Sequence, residues 1–122
     1  MVFKLSPEHE AAFRTAAQED FLRRAVANLR ASLADETQSL TDAQLSERVA
    51  QARTLAEPYA LVSELDVTRF AATSLLIGDG FDKDPRHDWS RVVLAANKPP
   101  NERSGVLISI ATLLAGVQKG QP

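Results

Sequence analysis

The chain has 122 residues, of which 44% are hydrophobic and 25% charged; its net charge at pH 7 is −2 and it has no cysteine. That length suits one domain, that apolar share excludes a wholly disordered chain, and the missing cysteines exclude a disulfide framework, a thiolate zinc site and a cysteine nucleophile. Residues 1–60 carry 7 basic and 9 acidic groups and residues 61–122 carry 7 and 7, so neither half has the basic excess that nucleic-acid binding requires.

The first residues, MVFKLSPEHE, hold no apolar run of signal-peptide length, and acids arrive by Glu8. Ser6 is an expected N-cap and Pro7 suits the first helical position, where its missing N–H would be unpaired in any case. Glu8 and Glu10 favour the positive end of the helix dipole. Phe13, Ala17, Phe21, Leu22, Val26, Leu29 and Leu33 recur at steps of three and four, which predicts one apolar helical face over residues 7–33. A polar loop is expected over 35–39.

The second helix opens on Thr41-Asp42-Ala43-Gln44, a capping box, with Leu40 and Leu45 placed as a hydrophobic staple. Its face continues through Val49 and Ala52, and Pro58 ends or kinks it near Glu57. The third helix repeats the device: Ser63 as N-cap, Asp66 three residues on, and Val62 with Val67 as the staple. Val67, Phe70, Ala71, Leu75 and Ile77 form its face, and Gly78 is a natural stop.

Residues 78–89, GDGFDKDPRHDW, read as a loop from their glycine, aspartate and proline content. A short helix opens at Asp84-Pro85 or Asp88-Trp89 and runs to about Ala95. In the last segment Val106, Ile108 and Ile110 alternate as in a strand, but the apolar character spreads to Leu107, Leu113, Leu114 and Val117 and no other strand is available to pair with it. A final helix, buried on most sides, is therefore expected. The stretch 106–117 is too short and too interrupted for a membrane span. The expected fold is all-α: one small bundle of about four to five helices over residues 1–122, with an ordered core of about 6–118.

Little in the chain is equipped for catalysis. Asp79, Asp82, Asp84 and Asp88 cluster, but only Asp82 and Asp84 have calcium-loop spacing and Gly80 is misplaced for it, so the acids read as turn and cap residues. His9 and His87 are the only histidines and read as solvated. No Gly-x-Ser-x-Gly elbow, His-Glu-x-x-His pair or phosphate loop occurs. No cofactor, metal or catalytic residue is therefore expected. Phe81 and Trp89 are either core anchors or exposed contacts, since aromatics bury a large area at small entropic cost. In both cases the loop would present its acids outward. The candidate protein-contact residues are Phe81, Asp82, Asp84, Pro85 and Trp89.

The order Ser63-Glu64-Leu65-Asp66-Val67-x-Arg69-Phe70, then Leu76-Ile77-Gly78, Gly80-Phe81-Asp82-x-Asp84-Pro85 and Trp89, resembles a family of short α-helical accessory proteins. These are encoded in bacterial type VI secretion effector loci. The amphipathic first helix is similar too, and the resemblance covers about residues 6–95. The last helix departs from it, being more apolar than the family pattern. The resemblance implies a cytoplasmic, non-enzymatic adaptor or co-chaperone for a secreted effector or the effector's chaperone. The apolar faces of the first and last helices would then be its contacts. Two alternatives remain at this point: an immunity protein whose acidic loop meets a basic toxin surface, and a metal-dependent or hydrolytic enzyme built on Asp82, Asp84 and His87; a partner or a homodimer would complete the burial of the last helix.

Overall fold

In the computed structural model, residues 6–119 are described, except for the side chains of Phe13, Gln118 and Lys119. The first five residues, read above as lacking a signal-peptide run, and the expected core role of Phe13 lie outside that range. The architecture is all-α: α1 (Pro7–Ser32), α2 (Ala34–Thr37), α3 (Asp42–Ala56), α4 (Glu64–Ile77), α5 (Asp88–Ala95) and α6 (Pro100–Lys119), with short 3-10 turns at Glu57–Tyr59, Phe81–Lys83 and Pro85–His87.

The expected starts form as local chemistry dictates. Ser6 Oγ accepts from the His9 N–H, and Ser63 Oγ from the Asp66 N–H. At Thr41 the box closes from both sides: the Gln44 N–H donates to Thr41 Oγ1 at 3.1 Å, and the Thr41 N–H donates to Gln44 Oε1 at 2.8 Å. Each start satisfies backbone donors that the helix itself leaves unpaired. Gly78, at φ 111°, closes α4 in a conformation that a side chain would strain.

α4 is the centre of the bundle. It packs on α1, α3 and α6, and buries Val67, Phe70, Ala71 and Ala72 among Phe21, Leu29, Val49, Ala52, Leu61, Phe81, Leu94 and Leu107. The chain returns through α5, so the start of α6 lies beside the start of α4. There Arg69 Nη1 donates to Ser104 Oγ at 3.2 Å, and Ser104 Oγ donates to the buried Asp66 carboxylate at 2.5 Å.

Four expectations change. Residues 34–37 form a helical turn where a loop was expected: Thr37 is buried, its hydroxyl donates to the Leu33 carbonyl at 2.8 Å, and Arg30 donates to the Thr37 and Leu40 carbonyls at 3.0 and 2.7 Å. The staple at Ser63 fails on one side, because Val67 is buried while Val62 is 67% exposed. In α1 the apolar face is covered only from Phe21 onward; residues 7–20, Phe13 aside, are exposed, Ala17 included. And α6 is buried along one strip, Ser104, Leu107, Ala111 and Ala115, while Val106, Leu113 and Val117 face outward. Periodicity says which side of a helix is apolar, not whether a neighbour reaches that far along it.

Candidate functional site

The loop between α4 and α5 is set in place from within. Phe81 is 1% exposed, its ring 4.9 Å from Phe70, which in turn stacks on Tyr59 at 6.3 Å. Gly80 at φ 72° makes the turn that aims Phe81 inward. Of the two roles open to Phe81, anchor or contact, the structure gives it the first. Asp82 is also buried, at 5% exposure, and its Oδ2 accepts from the Tyr59 hydroxyl at 2.5 Å. The expectation that it faces outward is overturned: a carboxylate beside a phenol donor loses less by burial than one left unpaired.

The remaining acids of the loop each meet a cation or donor of this chain. Asp79 pairs with Arg48 of α3 at 2.7 Å, and Asp88 with Arg91 at 2.6 Å. Asp84 accepts from the Arg86 N–H at 2.9 Å and from its guanidinium at 2.8 Å. The Arg86 side chain, then its backbone N–H, hold the Asp84 carboxyl down at about 2. Among the described residues no group of three or more metal-ligating side chains converges. Pro85 is exposed. Trp89 packs partly buried against the core and meets the His87 ring edge-on at 6.3 Å. Its Nε1 and His87 Nδ1 are buried with no hydrogen-bond partner among the described residues. Of the five candidate contacts, then, Phe81 and Asp82 are withdrawn from the surface, Asp84 and Trp89 are half-buried, and Pro85 is left exposed.

Tyr59 gives this region a spectroscopic handle, because it is the only tyrosine. Burial, and then the hydrogen bond to Asp82, push its phenol up to about 12 from 10.0. A phenol raised in the folded state is stabilising while protonated. That contribution is complete below pH 10 and is lost as pH rises through 12. The tyrosinate absorbance of the folded protein is expected to have its midpoint near 12. A midpoint at the ordinary value would mean that the Tyr59–Asp82 contact does not form in solution.

Three polar residues that the sequence did not mark turn out to be structural hubs. Arg103, 9% exposed, donates from Nη1 to the Tyr59 and Leu94 carbonyls at 2.7 and 2.8 Å, and from Nε to the Lys98 carbonyl at 3.0 Å. Arg30 clamps α2 to the start of α3 and also reaches Asp42. Arg24 grips the Glu64 carboxylate with both terminal nitrogens at 2.9 Å, joining α1 to α4. Arg24 and Arg30 stand beside apolar residues of α1, whereas Arg103, between Glu102 and Ser104, carries no local signal of its role.

No family model, curated protein or solved structure matches the chain. The candidate surfaces therefore rest on geometry. Two belong to α1. One is a groove of about 320 Å³ lined by Arg14, Ala17, Gln18 and Phe21 on one side and by Arg53, Val62, Glu64 and Val67 on the other. The second, of about 610 Å³, runs along the opposite flank past Leu22, Arg23, Val26 and Arg30 to Asp42 and Ser46. Both linings mix charged and apolar side chains. Among the described residues no helix is long and apolar enough to cross a membrane.

Proposed function

We propose that the chain is a non-enzymatic, cytoplasmic adaptor that binds another protein through the projecting first half of α1. The carrying observation is that residues 7–20, Phe13 aside, are exposed helix, with Ala17 on the wall of a groove that also takes in Phe21, Val62 and Val67. A free helix of that length is marginal in water. Here it grows from a packed helix, so the nucleation cost is already met. A partner that lays a groove or helix against the Ala17 strip would bury what the bundle leaves bare, in the helix-in-groove manner.

The resemblance of residues 6–95 to accessory proteins of type VI secretion effector loci supplies the class of partner: a secreted effector or the effector's dedicated chaperone. The pairing of Asp79, Asp84 and Asp88 with this chain's own arginines lends no weight to a toxin-blocking acidic loop, since their charge is already matched.

Co-expression with the products of neighbouring genes tests the reading. The wild type is expected to copurify with an effector or chaperone and to raise its soluble yield. Ala17→Glu, at an exposed helical site, should melt as the wild type does yet lose the partner. Equal capture by the variant, or no capture of any neighbour, overturns the proposal. Rescue of growth from a toxic neighbour without added solubility would establish the immunity role instead.

A further inference from the structure

The outward side of α6 carries Val106, Ile110, Leu113 and Val117 at steps of four, three and four, the spacing of a coiled-coil seam. Leu113 is 70% exposed, Val117 61% and Val106 48%, so this strip is uncovered by the bundle. From Ser104 to Gln118 the helix has no charged residue. On one side of the seam the flanking residues are small: Ser109 is exposed, and a Cβ added at Gly116 would meet nothing within 4 Å; on the other side lies Leu114, 36% exposed.

We infer that α6 is a self-association face whose occupant is the α6 of a second copy. Three properties favour a like partner. Partner choice in helical seams is set by charges beside the apolar row. This row has none, so nothing on it selects a different chain, and two copies meet without like-charge repulsion. A two-fold contact sets one patch against itself, which a uniformly apolar strip satisfies. The small flank at Ser109 and Gly116 lets the two helices approach closely on that side.

The area sets the strength. The strip is one face of a single helix, so a contact between two copies along it is small. Such a seam falls at the lower edge of specific interfaces, which begin at about 1,200 Å² in total. The dimer is accordingly weak and concentration-dependent. It is independent of the partner reading, which rests on α1, and it can fail without affecting that reading.

Sedimentation equilibrium of the full chain decides it. The mean mass is expected to rise from 13.3 kDa toward twice that value as concentration climbs, with the transition in the range of about 0.1–1 mM. Leu113→Glu and Val117→Glu should both stay at 13.3 kDa, with far-ultraviolet dichroism showing the fold intact. Val92→Glu, at a 73% exposed position on α5, should associate like the wild type. A wild type that stays monomeric throughout overturns the inference and leaves the strip to a different protein. So does association that survives both seam variants, or that Val92→Glu abolishes.

Discussion

Phe81→Ala is expected to lower the unfolding free energy by about 3–5 kcal/mol, the largest effect of any single truncation in the loop. The ring is enclosed, at 1% exposure, and forms one end of the Tyr59–Phe70–Phe81 series. Its removal forfeits the transfer of a large apolar side chain and leaves a cavity. The backbone cannot readily collapse into that cavity, because Gly80 and the 3-10 turn Phe81–Lys83 fix the approach. The loss would also free Asp82, which is held to Tyr59 at the same turn. Small domains have only about 5–15 kcal/mol in total, so the variant would sit near the edge of folding. Urea unfolding measures it: the midpoint should fall with the slope unchanged. A loss under about 1 kcal/mol would mean that the loop does not depend on this anchor.

Arg103→Met should cost about 3 kcal/mol for a different reason. The methionine keeps much of the apolar stem but removes the donors to the carbonyls of Tyr59, Leu94 and Lys98. Stranding a buried acceptor costs about 1–3 kcal/mol. The three carbonyls lie at the 3-10 turn Glu57–Tyr59, near the end of α5 and in the α5–α6 connection, so one guanidinium ties three segments together. For a domain of this size the melting temperature should drop by about 10 °C. Arg103→Lys should recover only part of it, since an ammonium lacks the fork that spans two directions. A fully stable Arg103→Met would show that solvent reaches those carbonyls.

What could be read locally was the set of helix starts. Ser6, the Thr41–Gln44 box, Ser63 and the stop at Gly78 act within three or four residues, so their partners stand beside them in the chain. The same reasoning missed the turn Ala34–Thr37, which is held by Arg30 from the preceding helix. It also placed Asp82 at the surface, because its partner Tyr59 lies 23 residues away. The Ser104–Asp66 bond spans 38 residues, and the Arg103–Tyr59 bond 44.

The sequence by itself determined an all-α chain, with its helices, caps and apolar faces, because hydrogen bonding and side-chain periodicity within a helix are short-range. Only the tertiary structure decided how far each face is covered: α4 buried from Asp66 to Thr73 on its inner side, α1 bare before Phe21, α6 bare along Leu113 and Val117. Burial depends on which distant segment arrives alongside, and that is a property of packing rather than of local pattern.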